Sequence, residues 1–283
     1  MARSGSGSPR QRLWFLTRLA LIVLALIITL LPVYWMVNTS LKTQVEVFAS
    51  PPTLYAQNPT FGNYVNLFVR RHLGVYLLNS LIIVGSAVLL SLVLGSLAAY
   101  FLARFAKGRM QQQLNFWVLA PRMIPPAALV VPVFLILQHF GLINKKLGLV
   151  LVYTAFNLPF VAWMMRSFFQ EIPVDLEEAA MVDGSSRLRS FWDVVLPLAA
   201  PGLVATSIFS LIITFNEFFF ALILTSTPEA ATLPVGTASL IGKTQTLYGE
   251  MAAAGVVAAV PLVVFALLVQ RHLVRGLTMG AVK

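Results

Sequence analysis

The chain has 283 residues, of which 58% are hydrophobic and 11% charged, and its mean hydropathy is +0.84. Soluble domains carry about 25% charged residues, so a water-soluble enzyme fold is excluded. The net charge of +10 is spread between apolar runs and does not gather on one basic face, which argues against nucleic acid as a partner.

Met1–Arg18 is polar and basic, with a Gly/Ser-rich start that reads as a disordered cytoplasmic tail. The first span, 19–37, follows without a charge, roughly 28 Å of helix at 1.5 Å per residue. It is too long for a signal-peptide core, and no small-x-small cleavage site follows. A polar connection with Pro51, Pro52 and Pro59 leads to a second span, 77–102. On it Ser91, Gly95 and Ala99 recur every four residues, a stripe suited to close helix contact.

The third span, 114–137, holds Pro121, Pro125, Pro126 and Pro132 as well as Arg122, and is expected to be kinked or broken. The fourth, 148–169, is expected to be interrupted at Asn157 and Pro159. The fifth, 202–226, carries Asn216 and Glu217, and the sixth, 251–270, contains Pro261. A tail over 271–283 closes the chain.

The predicted fold is therefore all-α, with six transmembrane helices and both termini cytoplasmic. The apolar segments are helix-length and do not alternate, which excludes an outer-membrane barrel. The positive charges agree with this orientation. Arg3, Arg10, Arg12, Arg18, Arg104, Lys107, Arg109, Arg166, Arg187, Arg189, Arg271, Arg275 and Lys283 fall on the inner side. Lys42, Arg70, Arg71, Lys145, Lys146 and Lys243 fall outside.

Between the fourth and fifth spans lies a polar island, 171–201, which holds six of the ten acidic residues. A carboxylate at the membrane centre costs about 2.5–3.5 kcal/mol, so this island lies outside the bilayer. Leu176, Ala179 and Ala180 recur at helical spacing until Gly184. Ser185 or Ser186 caps a second helix, on which Leu188, Phe191, Trp192 and Val195 form an exposed apolar stripe, and Pro197 is expected to end it. Spacing alone leaves open whether this helix lies on lipid or meets another protein.

Catalytic groups are scarce. His72, His139 and His272 fall in separate loops without metal-binding spacing, so no metal site and no catalytic residue is assigned. Gly236–Thr244 resembles a phosphate loop but has five residues between its glycines where four are required. The absence of Cys removes thiolate chemistry. The polar groups within the spans include Arg122, Asn157, Asn216 and Glu217. Buried polar residues in lipid face a bundle interior or a water-filled path. Asn216 and Glu217, flanked by Phe215 and Phe218, offer hydrogen bonds beside aromatic faces, chemistry suited to a sugar. Bonding to a neighbouring helix is the other reading. Arg122 is expected to satisfy carbonyls freed by the broken third span, or to pair with a carboxylate.

The order Glu178-Ala179-Ala180, three residues, Gly184, nine residues, then Val194-Val195-Leu196-Pro197 resembles the EAA loop of bacterial ABC importer permeases. With six spans and the GLTMGAVK tail, the chain is similar to the smaller permease subunit of carbohydrate-uptake importers, the maltose-type group, over Trp14–Lys283. The resemblance implies the type I importer permease fold in the bacterial inner membrane. It implies four kinds of association: a second permease, two ATPase subunits, an extracytoplasmic solute-binding protein and the lipid bilayer. ATP and Mg²⁺ would be used by the ATPase, with no cofactor on this chain. Glu178, Ala179, Ala180, Asp183, Gly184, Ser185, Leu188, Phe191, Trp192, Leu196 and Pro197 would form the ATPase-coupling surface. Phe191 and Trp192 would be its docked apolar contact and Glu178 its polar link. The tail Gly276–Lys283 would reach the ATPase interface. The alternatives are a secondary transporter, which would show repeated broken helices, and an intramembrane enzyme, which would need a facing acid and base.

Overall fold

A computed structural model describes residues 9–241 and 247–279, apart from 107, 110–112, 114–115, 117–119 and 121; side chains are described from 13 to 267 within these limits. The described residues are helical with short connections, and they fall into two compact units. One comprises Met1–Arg71 with Leu240–Val257. The other comprises His72–Ser239 with Ala258–Lys283.

In the first unit, α1 runs Pro9–Ser40. The helix thus begins inside the segment expected to be a disordered tail. Pro9 at its first position has no N–H to leave unpaired, and the apolar run continues the helix once it has started. The connection after α1 is ordered by side chains. Asn38 Nδ2 donates to Leu54 O, Asn38 Oδ1 accepts from Ala56 N, and Asn63 Nδ2 donates to Ser40 O and Lys42 O. These bonds satisfy backbone groups that have no ladder of their own. Tyr55, Phe61 and Phe68, aromatic residues of this connection, are exposed.

The second unit begins with α2, Leu73–Arg104. Next come α3, Pro126–His139, and α4, Lys146–Glu171. α2 and α4 form the central pair. The small stripe of α2 faces α4: Ser91 and Ala99 are buried, and a Cβ added at Gly95 would come within 2.7 Å of Val161 Cγ1. Absence of a side chain there lets the two backbones approach.

The proline-rich third segment breaks as expected. Pro125 is non-helical, at φ −57° and ψ 135°, and α3 restarts at Pro126. Pro121 lies outside the described residues. The fourth span differs from expectation, because α4 passes through Asn157 and Pro159 without interruption. Tertiary packing overrides the helix penalty here: Asn157 and Pro159 are both buried, and Asn157 Nδ2 donates to Thr214 Oγ1.

After α4 come α5, Val174–Val182, and α6, Arg187–Leu198. Next are α7, Ala200–Phe215, and α8, Phe219–Leu224. A short α9, Leu233–Ala238, follows, and α10, Tyr248–Met279, closes the described chain. Pro197 does not stop α6. It sits in the last turn, and the bend to α7, 75°, falls at Ala199. The fifth span is not one helix either, since it breaks at Asn216–Phe218.

Among the described residues, four helices are long and apolar enough to cross a membrane: Leu13–Ser40, Leu73–Arg104, Lys146–Glu171 and Tyr248–Leu267. The bent pair α6–α7 makes up to five, and α3 is a shorter apolar helix. Most of the stretch 114–124 that would lengthen α3 lies outside the described residues.

Candidate functional site

The polar island folds as two helices set at a fixed corner. α5 ends in a Schellman motif: Ser185 N–H donates to Ala180 O at 3.0 Å and Gly184 N–H to Met181 O at 3.1 Å. The motif needs a left-handed residue, and Gly184 supplies it at φ +92°. A side chain there would be strained by about 1–2 kcal/mol. Ser186 then caps α6, its Oγ accepting from Arg189 N–H at 3.3 Å. Ser185 is half-buried in the corner and makes no cap.

The corner is tied to the bundle by a pair that motif reading misses. Glu177 is buried. Its Oε1 accepts from Arg104 Nε and its Oε2 from Tyr100 Oη at 2.7 Å. Arg104 Nη2 also donates to Ile172 O at 3.0 Å. One guanidinium at the end of α2 therefore holds both the end of α4 and the start of α5. The two charges are compensated and hydrogen-bonded, as burial demands. Sequence gives no signal of this link, because the partners are 73 residues apart and Glu177 looks like an ordinary surface neighbour of Glu178. The apolar neighbour Leu176 is exposed instead, at 45%.

The expected stripe on α6 divides into two rows. Phe191 and Val195 are buried, at 1% and 0% exposure, while Leu188 and Trp192 are exposed, at 63% and 48%. Each row is an i, i+4 pair, and the rows sit on adjacent faces. Phe191 is therefore not a docking contact. It packs inside its own subunit, 4.8 Å between ring centroids from Tyr100 and 5.9 Å from Phe169. A π-helical turn over Phe191–Val195 accommodates it. Glu178, Ala179 and Asp183 are exposed, Ala180 and Leu196 half-buried, and Pro197 exposed. The outward surface thus combines Glu178, Asp183, Leu188 and Trp192. A cavity of about 610 Å³ opens beside it between the end of α2 and α5, bordered by Phe105, Glu178, Met181 and Arg187.

The polar groups of the spans are mostly engaged within the subunit. Glu217 caps α8, accepting from Phe220 N–H at 2.9 Å and Ala221 N–H at 3.3 Å, and also accepts from Tyr153 Oη at 2.7 Å. Phe215 is buried. Asn216 is exposed at the break, its amide donating to Ile212 O, and Phe218 is partly exposed beside it. Among the described residues, no hydrogen bond or ion pair joins Arg122 to a carbonyl or carboxylate, and the neighbouring 117–119 and 121 lie outside them. Its guanidinium stacks over the Phe160 ring, 4.9 Å from the centroid, in a cation–π contact. Asn157 and Glu217 meet different partners on α7 and α4, so the structure does not gather all the candidates into one cluster.

Beyond these contacts, α2 anchors a loop on the far side of the bundle. Asn79 Nδ2 donates to Pro228 O and Ala231 O, and Ser80 Oγ accepts from Leu233 N–H. Leu233 is fully buried, so it is part of the packing and not a free contact residue. The phosphate-loop lookalike falls partly on helix α9, and its Gly242–Thr244 end lies outside the described residues.

Residues 73–279 match the family model for the binding-protein-dependent transport system inner membrane component. The chain is 38% identical over 265 residues to the trehalose/maltose transport system permease protein MalG of Thermococcus litoralis, covering 92% of this chain and 94% of that one. It is 35% identical to the diacetylchitobiose uptake system permease protein NgcG of Streptomyces coelicolor, covering 99% and 92%. It is 39% identical to the trehalose transport system permease protein SugB of Mycobacterium tuberculosis, covering 90% and 92%. A crystal structure of a bacterial ABC transporter involved in alginate import contains a chain of the same fold, with TM-score 0.76, 21% identity, and coverage of 95% of this chain and 99% of that one. The match over α2 to α10, with relatives of this similarity along nine-tenths of the length, means that the chain is a multi-pass integral membrane protein belonging to the family of inner membrane components of binding-protein-dependent transport systems.

Proposed function

We propose that this chain is the permease subunit of an ATP-driven importer that passes a carbohydrate from an extracytoplasmic binding protein into the cytoplasm. The chain pairs with a second permease, and two ATPase subunits consume ATP and Mg²⁺. The chain itself carries out no catalysis and holds no cofactor. Its six spans are α1, α2, a helix completed by α3, α4, α7 with α8, and α10. Both termini and the α5–α6 corner lie on the cytoplasmic side of a bacterial inner membrane. The relatives support the carbohydrate assignment, since their names specify trehalose, maltose and diacetylchitobiose transport.

The observation that carries this reading is the geometry of the corner. Leu188 and Trp192 project from a helix whose adjacent row is locked into the bundle by Phe191 and Val195. The Schellman turn and the Glu177–Arg104 pair make the corner rigid with α2 and α4. A protein seated on Leu188, Trp192, Glu178 and Asp183 therefore moves the spans when it moves, as rigid-body switching requires. Closure of the ATPase pair pushes α6, and the push passes through α5 to α2 and α4.

The break at Asn216–Phe218 supports a path assignment. Non-helical backbone at membrane depth is tolerated only where it is buried in protein or lines a water-filled cavity. Asn216 and Phe218 line the path, offering an amide and a ring to a sugar. Glu217, Phe215, Asn157 and Arg122 hold the helices around it.

The test is reconstitution of the chain with its partner permease and ATPase in proteoliposomes. ATP-dependent uptake of labelled trehalose or maltose, delivered by the binding protein, is the expected result. Uptake by this chain alone, driven by an ion gradient, would establish a secondary transporter instead.

A further inference from the structure

Arg122 stands just before the non-helical Pro125 that breaks the third segment, and its guanidinium lies 4.9 Å from the centre of the Phe160 ring. Phe160 is close to the middle of α4, a helix long and apolar enough to cross a membrane. The charge therefore sits at membrane depth. Met123 is 76% and Ile124 43% exposed, and Arg122 and Pro125 are exposed with them, so the subunit does not bury its own break. Residues 122–125, α4 and α8 all belong to the second unit.

A cation at this depth does not face lipid; such residues point into a bundle interior or a water-filled path. Non-helical backbone obeys the same limit. Stacking on Phe160 covers one face of the guanidinium and leaves its N–H donors, which lie in the plane of the group. Among the described residues no hydrogen bond or ion pair uses them. Donors in a low dielectric call for an acceptor. Glu217 does not serve, since Tyr153 and the start of α8 engage it. Pro126 has no N–H, so the carbonyl of Arg122 also lacks its helical donor. The same residue offers a planar fork of donors on its side chain and an acceptor on its backbone. A sugar hydroxyl answers both, because it donates and accepts, and two adjacent hydroxyls match the fork. A carboxylate answers the donors alone.

Arg122 is also connected to the other break. Phe156 and Phe160 are i, i+4 neighbours on α4, about 6 Å apart along its axis. Phe156 meets Phe220 at 4.7 Å between ring centroids, and Phe220 lies in the first turn of α8, just past Asn216–Phe218. A row of rings joins the two breaks.

We propose that Arg122 is a second substrate contact in the path, about one helical turn nearer the cytoplasm than Asn216–Phe218, where its guanidinium donates to hydroxyl oxygens of a neutral saccharide. This rests on the path reading above and carries it inward.

The native chain has no cysteine, so Arg122→Cys and Met123→Cys each place a single thiol at the third-segment break. Met123→Cys keeps the charge and carries the test if Arg122→Cys does not fold. The assembled complex, with cysteine-free partner permease, ATPase and binding protein in proteoliposomes, is treated with a water-soluble cationic methanethiosulfonate. Both thiols should react, at least threefold more slowly when maltose or trehalose is supplied with binding protein and ATP. Arg122→Met should lower the uptake rate at least tenfold in a complex that still elutes intact, and Arg122→Lys should recover at least a third of the parent rate. Thiols that do not react, or that react equally fast with and without sugar, overturn the contact. A complex that falls apart in Arg122→Met also overturns it and assigns the guanidinium to a carboxylate of the second permease. Ion-driven uptake by the chain alone, with sugar protecting the thiols, removes the ATP-driven importer and leaves the contact standing. ATP-driven uptake with thiols indifferent to sugar removes the contact alone.

Discussion

Replacing Glu177 by Ala removes more than one contact. The Arg104 ion pair and the Tyr100 hydrogen bond are both lost, and the guanidinium retains only its bond to Ile172 O. The side chains of Arg104 and Glu177 are 8% and 6% exposed, and both border the cavity beside α5, so water replaces the missing partner only in part and the cost falls at the lower end of the range for a buried pair. Breaking a buried pair by deleting one member costs about 3–5 kcal/mol. The α5–α6 corner should bear most of this, because the pair is its link to α2. Taking about 3 kcal/mol at about 1.4 kcal/mol per decade, local opening becomes on the order of 100-fold more frequent. Hydrogen exchange of the amides in 174–198, read by mass spectrometry on the assembled complex, measures this directly. Exchange there should rise by about two orders of magnitude in Glu177→Ala, and much less in the Arg104→Met, Glu177→Met double variant, where no charge is stranded. Equal protection in Glu177→Ala and the parent chain would refute the argument that this pair fixes the corner.

Other perturbations separate the two rows of α6. Phe191→Ala should destabilise the subunit itself by about 3–5 kcal/mol, seen as a loss of folded protein in detergent. Trp192→Ala should leave the subunit's thermal unfolding unchanged but weaken its co-purification with the ATPase. Gly184→Pro should leave the subunit inserted and assembled while uncoupling ATP hydrolysis from uptake, because proline cannot adopt φ +92°. Gly95→Ile should overpack the α2–α4 contact against Val161 and cost about 1–3 kcal/mol, measured by the detergent unfolding midpoint. In the outer connection, the bond from Gln57 N–H holds the Glu46 carboxyl below the usual carboxylate range. A lowered folded-state value contributes stability above the unfolded pKa that is lost as pH falls through the folded one. Trp35 emission should therefore change on acidification below about pH 4, and Glu46→Gln should remove that change.

Hydropathy made the helix-length spans legible, because lipid leaves few alternatives to a continuous helix. The residue pattern around Gly184 was equally readable, since only glycine suits the left-handed position that closes α5. Reading failed where the deciding partner lies elsewhere in the chain. Pro159 and Asn157 looked like an interruption, yet packing carries α4 through them. Phe191 and Trp192 are adjacent in sequence and looked equivalent, but the wall formed by Tyr100 and Phe169 buries one and leaves the other outside. Glu177 was hidden beside Glu178 because its role depends on Arg104 at the end of another helix. Glu217 read as bonding either a sugar or a neighbouring helix; it bonds Tyr153 of α4, and the capping of α8 went unseen because the break that frees those N–H groups is not marked in the sequence.

The native chain has no cysteine, so a single Trp192→Cys substitution reports on one position alone. Cross-linking that thiol in intact membranes containing the partner permease and ATPase gives the most direct test of the α5–α6 corner as the coupling surface. The account predicts a covalent adduct with the ATPase subunit whose yield changes when ATP is added. A thiol labelled by a membrane-impermeant reagent from outside the cell, or adducts with lipid alone, would contradict it.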